Sequence, residues 1–385
     1  MVGLQSVQQD AETGPPRQMV RVWDLPTRLF HWLLVAAVTA AVVTGFIAPE
    51  WWMGLHIAAG YVIVLLLVFR FVWGVFGSEY ARLVNLAGST RYLGAYVRGL
   101  ALLRPPHYVG HNPVGALMIF AFFGVFVGLV VTGLMVQGGE EKQGPFAGVA
   151  TYALGHGAKL FHGILAFAAL AMIFIHICGV FVESWLQNVN LVRGMISGWM
   201  RVPSGFIIPP QREARPLTAL LICSAIAVGV GGTLLSLARL PALGVPTMPI
   251  NETYQAECGA CHWPYHPSLL PRASWAAIME SLPDHFGEDA SLPPETSAEI
   301  ARYLNTFPAE SWDTEAGNRL RTVSAAEPQR ITKSPYWIAK HRNIDVATFK
   351  RHSVKSQGNC IACHKDGDSG RFDDQAIHIP KGGSP

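Results

Sequence analysis

LFHGILAFAALAMIFIHICGVFV, residues 160–182, is long and apolar enough to cross a bilayer, yet it carries His162 and His176 inside it. A charged side chain there would be expensive, whereas a neutral imidazole is tolerable if it ligates a metal. The two histidines are fourteen positions apart. At about 100° and 1.5 Å per residue they return to within roughly 40° of one helix face, about 21 Å apart along the axis. One face therefore offers two ligands, one near each membrane surface. The alternative is two polar side chains bonding to neighbouring helices, so other spans must supply partners at matching depths.

Working outward, four more apolar stretches qualify as spans: 29–48, 51–76, 114–136 and 217–237. A cleavable signal peptide is the competing reading of the first; the long polar lead-in and the length of the run favour an uncleaved anchor. His31 opens the first span and His56 the second, whereas the third has none. Gly124 and Gly128 make a GxxxG pattern in the third, read as helix packing. Half of the 385 residues are hydrophobic and only 14% are charged, with the acids and lysines concentrated after residue 240. This composition predicts a membrane protein with a polar C-terminal part. A net charge of +3 is too small to point to nucleic acid.

The arginines set the expected topology. Arg17, Arg21 and Arg28 precede span one; Arg82, Arg91, Arg98 and Arg104 lie between two and three; Arg193, Arg201, Arg212 and Arg215 lie between four and five. The opposite loops offer only Lys142 and Lys159. The positive-inside rule then puts the N-terminus in the cytoplasm and everything after span five outside. On that topology His31 and His176 lie near the inner surface, His56 and His162 near the outer. Two layers of two histidines are what two bis-histidine haems need, and haem b is expected because no CxxCH lies in the spans. Arg70 shares the His56 face at the depth of the inner layer, where it either pairs with a haem propionate or snorkels to the inner surface. Surface or hydrogen-bonding roles are expected for His107, His111 and His156, and Glu79 and His111 are conceivable proton relays. Cys178 and Cys223 are read as small buried hydrophobes.

The polar part carries Cys258-Gly-Ala-Cys261-His262 and Cys360-Ile-Ala-Cys363-His364. CxxCH binds haem through two thioethers with the adjacent His on the iron. A zinc ribbon or a thioredoxin-like pair is the competitor, but each pair runs straight into His and the thioredoxin context is missing. His266, His285, His341, His352 and His378 outnumber Met248 and Met279 as sixth ligands, so bis-histidine coordination is favoured.

RVWDLPTRLFHW at 21–32 with Gly45, GLHIAAGYVIVLLLVFRFVWGVFG at 54–77 and LFHG…IHICGV resemble the bacterial cytochrome b561 family, in particular the cytochrome b subunit of nickel-iron hydrogenases, over roughly 20–200. The resemblance implies a four-helix bundle with haems held by His31 with His176 and by His56 with His162, exchanging electrons with quinone. ECGACHWPYHPSLLPRASW, DHFGEDASL and NCIACH followed by HIP resemble the dihaem cytochrome c family from about 251 to 380. That resemblance implies His262 and His364 as proximal ligands with His285 and His341 as the distal pair; His266 and His352 are expected at the surface.

The expected architecture is all-α: a cytoplasmic segment 1–27, mostly disordered; a four-helix cytochrome b bundle 28–200; a cytoplasmic loop and fifth, tethering helix 201–240; and a mainly helical, loop-rich periplasmic dihaem domain 241–385. The expected cofactors are two haems b and two covalent haems c, with quinone as exchangeable substrate. The expected role is an inner-membrane electron carrier, with quinone oxidoreductase activity, that links the quinone pool to a periplasmic redox protein such as a soluble c-type cytochrome. The alternatives are a superoxide- or oxygen-reactive quinone oxidoreductase, or an anchor subunit of a periplasmic redox enzyme. Nucleic acid is not expected as a partner, and the sequence leaves the oligomeric state open.

Overall fold

The computed structural model describes residues 17–203 and 212–380. Gly14, Pro15 and Pro16 of the expected lead-in, residues 204–211 of the expected loop and residues 381–385 lie outside the described residues. The chain is mostly helical, and five helices have the length and apolarity to cross a membrane: α1 (Leu25–Phe46), α2 (Met53–Phe76, extended to Glu50 by a 3-10 turn), α5 (Pro113–Gly139), α6 (Tyr152–Leu186) and α8 (Pro216–Leu237). Short helices α3 (Leu83–Ser89), α4 (Leu93–Ala101) and α7 (Leu191–Ser197) lie between them. It is a multi-pass membrane protein. Phe161, Phe174, Phe181 and Val228 expose their side chains on these helices, the surface a bilayer covers.

Two compact units can be recognised. The first holds the described parts of Met1–Ala36, Leu65–Phe126 and Phe167–Ile226. In it the end of the expected disordered segment is instead a strand: β1 (Arg17–Arg21) pairs antiparallel with β2 (Trp199–Pro203), Arg21 opposite Trp199. Alternation explains the strand, since Val20, Val22, Met200 and Val202 turn inward onto Trp23. Gly198 sits at φ +87°, and a Cβ there would stand 2.6 Å from the Trp23 carbonyl, so only glycine closes this corner. Asp24 caps α1 by accepting from Thr27 N at 2.8 Å, while Trp73 Nε1 and Ser78 donate to its other oxygen at 3.0 and 2.6 Å. The WDLP sequence thereby ties the start of α1 to the end of α2.

The second unit holds Ala37–Val64, Val127–Ala166 and the described part of Ala227–Pro385. Its polar domain contains α9 (Glu252–Cys258), α10 (Arg272–Glu280), α11 (Pro294–Thr306), α12 (Glu315–Arg319), α13 (Pro335–His341) and α14 (Val346–Phe349). These pack over Tyr254, Leu269, Leu270, Trp275, Ile300 and Leu304, and Met279 packs against the same core. The domain is fastened to the loop between α5 and α6. The Lys142 ammonium, 1% exposed, lies 2.7 Å from Asp313, which also accepts from Tyr152 N at 2.8 Å; Arg371 donates to the Lys142 carbonyl at 3.0 Å; Leu243 N donates to the Ala147 carbonyl at 2.7 Å. Lys340 reaches Glu50 at 3.5 Å. Gly128 of the GxxxG pattern is used for packing, because a Cβ there would meet Leu165 at 2.9 Å. Cys178 is exposed, because α6 turns it toward the apolar surface, and so departs from the buried hydrophobe expected; Cys223 is half-buried and packs against Val72, Trp73, Ala81 and Ala219.

Candidate functional site

In the second unit the His56 and His162 rings lie 6.1 Å apart at 69°. His56 Nδ1 lies 3.0 Å from the Ala41 carbonyl and 3.1 Å from Thr44 Oγ1, and His162 Nδ1 lies 3.0 Å from Thr132 Oγ1. Each threonine hydroxyl donates to its own helix, Thr44 to Ala40 O at 2.6 Å and Thr132 to Gly128 O at 2.7 Å, so each accepts from the imidazole. With Nδ1–H committed, Nε2 carries the free lone pair on both rings. The following residue gives room: a Cβ at Gly45 would stand 3.2 Å from His56 Cε1, and one at Gly133 3.4 Å from His162 Cε1. Thr44-Gly45 and Thr132-Gly133 are thus equivalent cradles on α1 and α5. They did not enter the ligand reading, although the repeated Val-Thr-Gly at 43–45 and 131–133 could have revealed them.

In the first unit His31 and His176 interact electrostatically, and Phe122 stands edge-on to His176 at 6.0 Å. His31 Nδ1 is buried without a hydrogen-bond partner among the described residues. Arg70 is 3% exposed and donates to the Ala81 carbonyl at 2.9 Å, so it does not snorkel. His111 departs from its expected surface place. Its Nδ1 is buried and unpartnered, and its ring lies 4.6 Å from Trp23. Burial, with Arg70, His176 and His31 nearby, holds it down to about 3, which keeps the imidazole neutral. Glu79 bonds to Asn85 at an exposed edge, at 2.8 Å.

In the polar domain His262 and His285 lie 6.3 Å apart, nearly stacked, and His341 and His364 6.2 Å apart. Ser334 caps α13 by accepting from Trp337 N at 3.2 Å, and His341 in its last turn bonds through Nδ1 to the Trp337 carbonyl at 2.8 Å. His262 Nδ1 similarly bonds to the Trp263 carbonyl at 2.8 Å. His364 is set by the turn through its motif, His364 N donating to Cys360 O at 2.8 Å; burial and then His341 hold its ring down to about 4. The first pair is the more open: His262 and Cys261 are exposed, and His285 is half-exposed. His266, expected at the surface, is 4% exposed: it bonds to Ser268 Oγ at 2.8 Å and stands edge-on to Trp312. The apolar wall around it favours a neutral ring, which burial holds down to about 4. His352 and His378 are exposed.

These residues fit haem. Two metal–nitrogen bonds of about 2.0 Å plus about 1.1 Å from each nitrogen to its ring centre would put two imidazoles that share a metal about 6.2 Å apart, the spacing of three of the pairs. The fold and these pairs define a helical membrane cytochrome with a multihaem polar domain. Residues 22–198 match the family described as prokaryotic cytochrome b561, and residues 254–372 match dihaem cytochrome c. The chain combines an N-terminal cytochrome b561 region of the Ni/Fe-hydrogenase B type with a C-terminal dihaem cytochrome c domain, families that imply haem b and two haems c.

Among its relatives, the probable Ni/Fe-hydrogenase B-type cytochrome subunit of Azotobacter chroococcum is 26% identical over 230 residues, covering 50% of this chain and 96% of that protein. The corresponding hydrogenase 1 subunit of Escherichia coli K12 is 26% identical over 149 residues, 33% of this chain and 63% of that protein. Of solved structures, a dihaem cytochrome c from Shewanella baltica is 35% identical with a TM-score of 0.28, covering 34% of this chain and 95% of that one. Another from Rhodobacter sphaeroides is 32% identical with a TM-score of 0.25, covering 32% and 98%.

Proposed function

We propose that the protein is a tetrahaem electron carrier of the bacterial cytoplasmic membrane, passing electrons between the quinone pool and a periplasmic redox partner. Four haems, two of type b and two of type c, supply one-electron redox chemistry when bound. His31 with His176 and His56 with His162 are the b-haem ligands. His262 with His285 and His341 with His364 are the c-haem ligands, with thioethers from Cys258 and Cys261 and from Cys360 and Cys363. Arg70 is a propionate partner for the inner b haem. The bundle 28–200 and the helix reached through 201–240 lie in the membrane, the segment 1–27 is cytoplasmic, and 241–385 is periplasmic.

The observation that carries this reading is the recurrence of ring spacings of 6.1–6.3 Å, with Nδ1 engaged on His56, His162, His262 and His341, so that at least one ring of each of these pairs keeps Nε2 free. The chain's own work is to orient imidazoles, exclude water and, at His56, His162, His262 and His341, set the ligand's basicity through the group on Nδ1. The contacts of Lys340 and Arg371 with the outer loops make the His341/His364 end the one that faces the outer b site. The open His262/His285 pair is left for a soluble partner.

The test is anaerobic mixing of the oxidised full-length protein with excess reduced quinone, with b and c bands followed separately. Reduction of b before c is expected for quinol oxidation. Protein whose b bands exchange with neither quinol nor quinone, while a chemical reductant reduces them, contradicts the reading.

A further inference from the structure

Glu183 is 9% exposed on α6, seven residues beyond His176. Two helical turns, about 10.5 Å of rise, return it to nearly the same face. Among the described residues no cation lies within ion-pair distance of it. Neutral donors hold it instead, and their polarity is fixed from outside. Asn112 Nδ2 donates to Tyr96 OH at 2.8 Å, which turns the phenol hydrogen onto Glu183 Oε2 at 2.5 Å. On the other side His107 Nδ1 donates to Gln187 Oε1 at 2.8 Å, and Gln187 Nε2 donates to Glu183 Oε1. Both chains end on the carboxylate, so the site is built around an acceptor.

The same carboxylate lines a cavity of about 30 Å³ with Tyr108, Asn112, Gln187 and Met200. Such a volume holds about one or two waters, and the polar wall supplies the partners a water needs. The wall also includes Gly110, so it brackets His111, whose buried, unpartnered Nδ1 lies beside His31 and His176. The cavity thus joins the buried acid to the chain neighbours of a histidine that lies in the electrostatic reach of the inner histidine pair.

We propose that Glu183 is the proton-relay group for quinone chemistry at the inner histidine pair, with Tyr96, Asn112 and Gln187 as its positioning residues; this rests on the quinone reading above. Oxidation of a quinol breaks two O–H bonds and releases two electrons and two protons, leaving the quinone. The electrons go singly to the protein's one-electron centres. Each proton passes through cavity water to the Glu183 carboxylate, which becomes a neutral acid and then gives it up to cytoplasmic water. Quinone reduction runs the same route in reverse.

The test uses the full-length haem-loaded protein with decylubiquinol and, separately, menadiol as reductants. Positioned proton-transfer groups contribute about 10²–10⁴-fold. Glu183→Gln, which keeps the shape and one of the two accepted hydrogen bonds but cannot take up a proton, should slow b-band reduction by the reactive quinol about 100-fold while dithionite reduction and b-haem content stay unchanged. Glu183→Asp should restore part of the rate, and Tyr96→Phe should cost about tenfold. Redox-difference infrared spectra of the wild type should show a protonated-carboxyl stretch that is lost in Glu183→Gln. If the wild type reacts and Glu183→Gln reacts as fast, or the carboxyl band persists in it, the relay is wrong and the quinone reading survives. If the wild type is reduced by neither quinol and its reduced b haems are oxidised by neither of the corresponding quinones, both fall.

Discussion

At the residue scale, the weight falls on the group behind each imidazole. Thr132 Oγ1 and the Leu129 carbonyl stand behind His162, as Thr44 Oγ1 and the Ala41 carbonyl stand behind His56. A hydrogen bond of this kind makes the imidazole more electron-donating and stabilises the oxidised iron it would hold. Thr132→Val should therefore raise the midpoint potential of one b haem. About 1 kcal/mol, or ~40 mV for one electron, is the scale of one hydrogen bond. Thr44→Val should shift the same haem in the same direction and by a similar amount, because a backbone carbonyl, Ala41 O or Leu129 O, remains behind each ring. A redox titration that resolves the two b haems checks this; equal shifts in both, or none, contradict it. The histidines of the spans are legible in the sequence because an imidazole inside an apolar run stands out. Their threonines are not, because a threonine can satisfy itself on its own helix and needs no explanation there. Glu183 is masked in another way: at the end of a long apolar run a carboxylate reads as an interfacial flank, and only the fold brings Tyr96 and Gln187 onto it.

At the element scale, the five spans lie close to where apolar runs put them, since length and hydropathy alone decide which segments cross a bilayer. The connections are less legible. β1 pairs with a segment nearly 180 residues away, and no local pattern announces a partner at that separation. The loop between α5 and α6 was read only as a loop, yet it carries Lys142, whose buried ammonium is held by Asp313 and the Ala150 carbonyl at 3.0 Å. Removing the charge of Asp313 leaves an uncompensated ammonium in a dry place, at a cost of roughly 3 kcal/mol. Asp313→Asn should lower the melting temperature of the detergent-solubilised protein and speed proteolysis within 238–250, whereas Asp345→Asn, which removes only an exposed charge and keeps the cap of α14, should leave that cleavage rate unchanged. Equal cleavage in the two variants would show that this staple does not fasten the polar domain.

At the scale of the molecule, the fastening surface is an acid-rich one. Burial, with Asp374, Asp373 and Glu315 close by, pushes Glu141 up to about 8, and burial pushes Asp374 up to about 6. Burial works against Lys340, but Glu315 and Asp374 hold it above the ordinary ammonium range. An acid whose pKa is raised by folding binds more protons folded than unfolded between its two values, so stability falls as pH rises through that window. His266 slopes the other way, its folded value of about 4 making stability rise with pH only up to its unfolded value, about 6.5. Between pH 6.5 and 8 the acids act alone. The melting temperature should fall across that interval and the fall should flatten in Glu141→Gln, with an unchanged slope in that variant placing the titration elsewhere. The fusion of a cytochrome b561 region to a dihaem cytochrome c domain makes haem content the most direct reading of the whole account. Quantifying haems b and c as pyridine haemochromes in the purified full-length protein should give two of each per chain, and His162→Ala should reduce b to one and leave c at two. One b haem in the wild type, or two in His162→Ala, would contradict the assignment of the four histidine pairs.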